Sequence, residues 1–564
     1  MTDDGSPLSA AEARRRWDAY RADVWRVNAQ VRGERGKALA LALVPPGSWR
    51  HRAVVKVVEP LLVLRRRVRP STVATTEFPL GVGDLVARAV SNATGAPART
   101  TATVTVVELA RAPGGGVGRT VVTEGDAGAA VAAVNDAVAS AGDWVVVLDH
   151  ADIVTADDLD EMRRDGEARG ADLVYGDEVE LDGGRSRAVL RTAKLGPLGL
   201  LSHDMTGRVV LFRTASLRAR GGFDLSDGWA FRDGAVMRAV EGGALCVHVA
   251  RVVALSTAHD RLVDVDRTTL VARTLRRRGD EQVAVQSTRG VSSWRAPAPP
   301  QWPRITVVIP TRDRLDLLIP CLRALEERTT YPDYEVVIVD NDSVEPATRA
   351  YLANGRYRVV AAPGPFNYAA IVNRGVGATD SAYVVTLNND VTVETNDWLE
   401  QMVAVALMVG VGVVGCYLGD PDGGAQHEGI AIAPYPQNLR RERNYPVPDA
   451  LLESAREVAA VTGACQLVSR ALWDELGGLD EALAVVHNDV DFCLRAWRAN
   501  RSVVYLPSVR HVHAESSSRG SLVPDEDIVA FVARWDVFGS YRDPWFPEQL
   551  EMIGDVVRWR ADLR

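Results

Sequence analysis

Three short polar clusters close three apolar runs in the second half of the chain. Pro310-Thr311-Arg312-Asp313 follows Ile305 to Ile309, Asp340-Asn341-Asp342 follows Glu335 to Val339, and Asn388-Asn389-Asp390 follows Tyr383 to Leu387. Carboxylate and amide oxygens are hard donors suited to Mg²⁺ or Mn²⁺, ions that take few protein ligands and complete their shell with water and phosphate oxygens. The clusters therefore predict a diphosphate-bearing substrate and a divalent cation that neutralises charge on a departing diphosphate. Any one cluster alone reads as a turn, because Asx residues favour turns and caps. Three strand ends carrying the same chemistry to one sheet edge read as a site. Asp489 adds a carboxylate at the start of a helical run through Phe492, Leu494 and Trp497; a helix N-cap is the competing reading there.

The elements that must hold these residues follow from periodicity. The three runs, with Tyr357 to Ala361, are nearly continuous in apolar residues, as in parallel strands covered on both faces. A helix from about Asp313 to Glu327 joins the first two, giving a βαβ series and an open sheet. Ligands of such sheets bind beyond the carboxyl ends of the strands, where the polar clusters fall. The chain also repeats itself. Asn135 precedes Asp152 by the spacing that separates Asn373 from Asp390, and Gly221-Gly222-Phe223-Asp224 echoes Gly477-Gly478-Leu479-Asp480. Asp233 and Asp489 follow those motifs at equal distance. The fold class expected is α/β: two tandem Rossmann-like domains with mostly parallel sheets. The boundaries are a helical or mixed region over 1–95, an upstream domain over 96–295, a second copy over 304–522 and a helical tail over 523–564. The proline-rich APAPPQWPR, from Ala296 to Arg304, is the linker. In the first region, Ser9 and Glu12 form a capping box for a helix presenting Trp17, Tyr20, Val24 and Val27 on one face.

Composition narrows the function. The chain has 564 residues, 47% hydrophobic and 25% charged, with a net charge of −9 that disfavours nucleic acid. Arginines cluster at Arg14–Arg16, Arg65–Arg67 and Arg276–Arg278. Solvated faces are the ordinary reading of such clusters; contact with an anionic membrane surface or a diphosphate lipid is the alternative. The polar N-terminus is unlike a signal peptide, and a cytoplasmic protein, peripheral at most to the inner face of the plasma membrane, is expected. Met402 to Gly419 carries no charge but is interrupted by four glycines, which favours a helix followed by a buried strand over a membrane span. The five scattered cysteines show no metal-ligand spacing and read as reduced core thiols.

Taken in order, PTRDR, VDNDS, FNYAAIVNRGV, LNNDV, VTGACQLV, GGLDE, NDVDFCLR and HVHAESSSRG make residues 305–520 resemble inverting family 2 glycosyltransferases of the GT-A fold. The tail FVARWDVFGSYRDPWFPEQL resembles the end of bacterial tandem-domain members, rhamnosyltransferases and cell-wall glycosyltransferases among them. Residues 100–290 resemble their upstream domain through LDHAD, YGDEVELDGG and GGFD. The resemblance implies a nucleoside-diphosphate-sugar donor and a glycan or lipid-linked acceptor. It places Pro310, Thr311, Arg312, Asp313, Asp340, Asn373, Asn388 and Asn389 around the nucleotide-sugar. Asp390 would be the principal metal ligand and His513 the late histidine of the metal or diphosphate site, with His511 as competitor. Asp489 would be the general base, with Asp491 as fallback. Asn388 stands where many relatives carry an aspartate, which loosens the expected metal requirement. The upstream copy lacks a counterpart of PTRDR and is expected to be degenerate. An inactive scaffold in a polysaccharide-assembly complex is the alternative function. A sugar nucleotidyltransferase would need a glycine-rich loop and a downstream lysine, and a processive synthase a Q-x-x-R-W element and membrane helices; neither set is found.

Overall fold

The computed structural model describes residues 7–31, 103–109, 117–124, 127–140, 142–149, 154, 156–182, 185–257, 267–278, 285–288, 291–441, 445–514, 524–554 and 556–560. The apolar runs from Leu39 to Val44 and from Val54 to Leu64, which read as short buried elements around the Pro45-Pro46 break, lie outside them, as do the cluster Arg65–Arg67 and Asp152. The helix Ala10–Val31 opens as expected, with Glu12 N–H donating to Ser9 Oγ at 3.2 Å. Its Glu12 carboxylate turns to Arg15 and Arg16 instead of closing the capping box. Trp17, Tyr20 and Val27 are buried on one face.

Two large sheets follow. The first contains β1 (Thr103–Leu109), β2 (Val117–Glu124), β3 (Trp144–Asp149), β4 (Leu173–Asp182), β5 (Arg185–Val189), β6 (Val210–Arg213) and β7 (Cys246–Thr257), in the order β2-β1-β3-β6-β4-β5 with β7 on β4. A hairpin of β8 (Val285–Thr288) and β9 (Val291–Trp294) leads to the linker. The second sheet is built from β10 (Ile305–Thr311), β11 (Tyr334–Asp340), β12 (Arg358–Ala361), β13 (Tyr383–Leu387), β14 (Val391–Val393), β15 (Val411–Gly419), β16 (Ala425–His427), β19 (Arg456–Glu457), β20 (Cys465–Ser469) and β21 (Ser502–His513). Its order is β12-β11-β10-β13-β20-β15-β21-β14, with β16 on β15 and β19 on β21. Beside it lies a hairpin of β17 (Ile430–Ile432) and β18 (Pro436–Asn438).

The βαβ expectation holds for β10 to β13, which pair in parallel through the helices Leu315–Arg328 and Tyr368–Gly377. The expectation of mostly parallel sheets does not hold. β20 enters antiparallel between β13 and β15, and in the first sheet all pairs except β4–β7 are antiparallel. Continuous apolar runs report burial on both faces, not strand direction, so the pattern could not separate the two cases. A four-strand block nevertheless occurs twice. β3-β6-β4-β7 and β13-β20-β15-β21 share order and sense, and the parallel pair ending each block carries a register break. The copies diverge at the edge: β10 runs parallel to β13, whereas β1 runs antiparallel to β3.

The uncharged segment 402–419 is the end of the helix Trp398–Ala406 followed by the buried strand β15. Among the described residues no helix is long and apolar enough to cross a membrane. The C-terminal part is a helix, Asp525–Trp535, followed by a hairpin of β22 (Leu550–Ile553) and β23 (Val556–Trp559), not helical throughout. The N-terminal helix packs on it: Arg14 and Arg21 pair with Asp525, and Arg16 pairs with Asp536. Arg277 and Arg278 pair with Glu241.

Candidate active site

The ends of β10 and β11 are stitched into one rim. Asp313 and Arg314 adopt left-handed backbone (φ 53° and 56°), a sparsely populated conformation for side-chain-bearing residues that turns the chain sharply out of β10. Asp313 Oδ1 accepts from the backbone N–H of Val344 and Glu345, both at 2.8 Å, while its own N–H donates to Ser343 Oγ at 2.8 Å. Asp340 Oδ1 accepts from Ser343 N–H at 3.1 Å. Asn341 and Asp342 extend the seam to the end of β12 through Ala362 and Gly364. Thr311 Oγ1 accepts from Asn389 Nδ2 at 3.0 Å, tying this rim to the end of β13. Pro310 is half-buried and Arg312 exposed.

The end of β13 faces β21. Asn388, Asn389 and Asp390 are all buried. His513 Nε2 lies 3.1 Å from Asp390 Oδ1 and 3.4 Å from Asn388 Nδ2. Gln426 on β16 grips the same histidine twice: Oε1 sits 2.6 Å from Nδ1 and Nε2 donates to the His513 carbonyl at 3.2 Å. That pairing puts the ring proton on Nδ1 and leaves the Nε2 lone pair facing a carboxylate oxygen. Asp390 Oδ1 is buried and has no hydrogen-bond partner among the described residues. Two facing acceptors at this distance repel unless a cation or a proton lies between them, so the donor set fits the divalent ion expected from the sequence. His511 sits two residues deeper on β21, with Nδ1 accepting from Glu394 N–H at 3.2 Å and its ring edge against Trp398. One of its ring nitrogens and the Cys416 and Cys465 sulfurs lie within 4.8 Å of one another, a grouping that sequence spacing concealed because three separate strands bring it together.

Asp489 reaches the same place from the other side. It lies in the first turn of the helix Asn488–Arg498, two residues past the N-cap position, which His487 occupies. Its Oδ2 accepts from Gly463 N–H and its Oδ1 from Val490 N–H, each at 2.8 Å. Tyr368 Oη donates within a bridge that joins Gly463 O at 3.0 Å to Asn388 Oδ1 at 3.2 Å. Asp489, Asn388 and His513 all line one cavity of about 260 Å³, together with His427, Asn438, Thr462 and His487. Asp491, the fallback, is fully buried and fully engaged by Arg495, Arg534 and Trp535.

Asn373 has a structural task. Its amide bridges Leu479, donating to the carbonyl and accepting from the N–H, both at 2.8 Å. Asn135 makes the same pair with Phe223 at 2.8 and 2.9 Å. Gly222 and Gly478 have φ of 66° and 74°, and a Cβ on either would meet the asparagine amide within 3 Å. The repeated Asn and Gly-Gly motif is thus a brace between a helix and the Gly-Gly turn, and the Asn373 amide engages Leu479 and Glu481 rather than the rim residues Asp313 and Asp340. Gln426 and His427 escaped the sequence reading, because each acts across strands with no local motif of its own; Tyr368 and Gly463 fall in FNYAAIVNRGV and VTGACQLV, where no role singles them out.

The upstream counterpart is closed. Asp233 is held 2.8 Å from Arg267 Nε, and Arg191 pairs with Glu178 beside it. Burial raises the Asp233 carboxyl above its ordinary value, while Arg267 opposes the shift.

Residues 306–477 match the family described as Glycosyl transferase family 2. An uncharacterized protein, y4gI, of Sinorhizobium fredii is 37% identical over 39% of this chain and 25% of its own length. The O-antigen biosynthesis protein RfbC of Myxococcus xanthus is 33% identical over 43% and 19%. An N-acetylglucosaminyl-diphospho-decaprenol L-rhamnosyltransferase of Mycobacterium tuberculosis is 26% identical over 39% and 77%. The chain spans a quarter or less of the first two relatives.

Proposed function

We propose, from a chain whose residues 306–477 belong to glycosyl transferase family 2, that it moves a sugar from a nucleoside diphosphate to a hydroxyl of a glycan or lipid-linked acceptor by a single inverting displacement. The observation that carries this reading is the shared cavity. It brings one carboxylate, Asp489, into the same space as Asn388 and His513, and His513 in turn lies 3.1 Å from Asp390.

In this scheme the rim formed by Pro310, Thr311, Arg312, Asp313 and Asp340 receives the nucleoside. Asn388 and Asn389 line the path of the diphosphate, and Asp390 and His513 hold the divalent cation. The cation, when bound, supplies positive charge for the leaving diphosphate. An acceptor hydroxyl in the cavity attacks the anomeric carbon, its proton passes to Asp489, the bond from carbon to the diphosphate oxygen breaks, and the configuration inverts. Gly463 N–H fixes the carboxylate that receives the proton. The duplicated four-strand block supports reading residues 103–257 as a second, degenerate copy of the domain, and the ion pair of Asp233 with Arg267 supports its inactivity. The name of the Myxococcus relative places that protein in O-antigen biosynthesis, and synthesis of a bacterial surface polysaccharide is the setting we propose here. Among the described residues no helix is long and apolar enough to cross a membrane; peripheral contact is part of the proposal.

Calorimetric titration with UDP, dTDP and GDP, each with and without Mn²⁺, tests it. Metal-dependent binding of one nucleotide, lost in Asp390→Ala, is expected. Absence of binding by every nucleotide under both conditions would remove the transferase reading and favour a scaffold.

A further inference from the structure

The cavity beside Asp489 has a wall with a distinct chemistry. Its apolar side is Ile430, Pro436, Val485 and Val486, and its polar side is His427, Gln437, Asn438 and Thr462. No lysine or arginine lines it among the described residues, while Asp489 contributes a carboxylate. A uronate or other anionic sugar placed against this wall, away from the Asn388 and His513 end proposed for the diphosphate and its cation, would lose hydration and meet the like charge of Asp489. A neutral ring with hydroxyls on its edge and C–H groups on its face meets both sides of the wall. At about 260 Å³ the space falls below the roughly 300–1,000 Å³ of drug-sized ligand sites, which suits one ring rather than several.

His427 is the unfinished part of that wall. It is 1% exposed, and Nδ1 lies 2.7 Å from Asn438 Oδ1. Nε2 has no hydrogen-bond partner among the described residues. The Asn438 carbonyl oxygen takes the Nδ1 proton, so Nε2 is an acceptor awaiting an O–H. A buried acceptor left without a hydrogen bond is unfavourable, a cost that an incoming hydroxyl removes. Burial holds the imidazole neutral, with its pKa lowered to about 4, which keeps Nε2 an acceptor through the neutral range. Asn438 belongs to the hairpin β17–β18, which also reaches Tyr20 and Met552 through Gln437.

Resting on the transferase reading, we infer that His427 is a specificity residue of the acceptor subsite: its Nε2 accepts a hydrogen bond from a non-reacting hydroxyl of a neutral acceptor sugar, and the cavity rejects anionic sugars.

The test uses the full chain with Mn²⁺ and measures nucleotide release from UDP-glucose, UDP-galactose, dTDP-rhamnose and GDP-mannose. The acceptor probes are octyl glucoside, octyl galactoside, octyl rhamnoside, octyl N-acetylglucosaminide and, as the anionic member, octyl glucuronide. At least one neutral glycoside, and not the glucuronide, is expected to stimulate release. His427→Ala should raise the KM for that glycoside about tenfold with nucleotide affinity by calorimetry within twofold of wild type. His427→Gln, which keeps an acceptor atom, should recover part of the loss. An unchanged glycoside KM in a folded His427→Ala protein overturns the assignment. So does a glucuronide as effective as its neutral counterpart, or donor turnover that no glycoside stimulates. Wild-type protein that binds no nucleotide instead removes the transferase reading beneath it.

Discussion

Gln426 and His513 are joined by two reciprocal contacts, side chain to ring at 2.6 Å and side chain to backbone carbonyl at 3.2 Å. The pair fixes which ring nitrogen faces Asp390, and so whether that nitrogen can ligate a cation. Gln426→Ala should weaken Mn²⁺-dependent nucleotide binding by about 10- to 100-fold, the range typical of lost outer-shell partners of metal-bound histidines. Binding in the absence of metal should change little. Calorimetry at fixed nucleotide with varied Mn²⁺ reads both arms, and an unchanged metal dependence contradicts the assignment.

Asp489→Asn keeps the shape of the side chain and an oxygen for Gly463 N–H but removes the proton acceptor. The rate of sugar transfer should fall about 10²- to 10⁴-fold with nucleotide affinity retained. Asp491→Asn should act on stability instead, because it weakens buried contacts with Arg495, Arg534 and Trp535. Paired melting curves and initial rates separate the two aspartates.

Asp233 marks the upstream position equivalent to Asp489. Removing it takes away the carboxylate 2.8 Å from the guanidinium of Arg267, which is 3% exposed, and leaves Asp204 as a weaker counter-charge, a loss of up to about 3–5 kcal/mol by comparison with other broken buried pairs. Asp233→Ala should therefore lower the melting temperature while the transfer rate per folded molecule stays at the wild-type level. A specific loss of rate in fully folded protein would show that the upstream half takes part in chemistry.

Acid should unfold the protein through buried histidines. Burial lowers His203 to about 3 and His427 and His487 to about 4. The unfolded chain, with histidines near 6.5, binds these protons first, so stability is present above that value. It is lost as pH falls through the window from about 6.5 to 4. Melting temperature should drop across this range, and His487→Phe should flatten the slope.

The second sheet was legible where sequence and geometry share a period. The strands β10 to β13 lie within two residues of the apolar runs, the helix Leu315–Arg328 within two residues of the one expected between the first two, and the polar clusters do fall at strand ends. Strand direction beyond β13 was not legible, since burial on both faces erases the alternation that would reveal it. Asn373 misled for a related reason: a spacing repeated in two copies marks whatever both copies need, and both need the brace that holds the Gly-Gly turn. His427 and Gln426 stand in the short strand β16, and their partners Asn438 and His513 lie 11 and 87 residues away. No local pattern predicts such a pairing.

The proline-rich segment between the two sheets has a mechanical consequence. Ala296 and Trp302 pack against an apolar core that runs without interruption from Leu198 and Trp294 to Ile305 and Val414. Glu457, from the second sheet, accepts the N–H groups of Leu198 and Gly199 at 2.9 and 3.0 Å. The segment is therefore a seam and not a hinge. The two halves should melt in one cooperative transition, and a chain cut at residue 300 would expose a greasy face that the missing half once covered, trading solubility for aggregation.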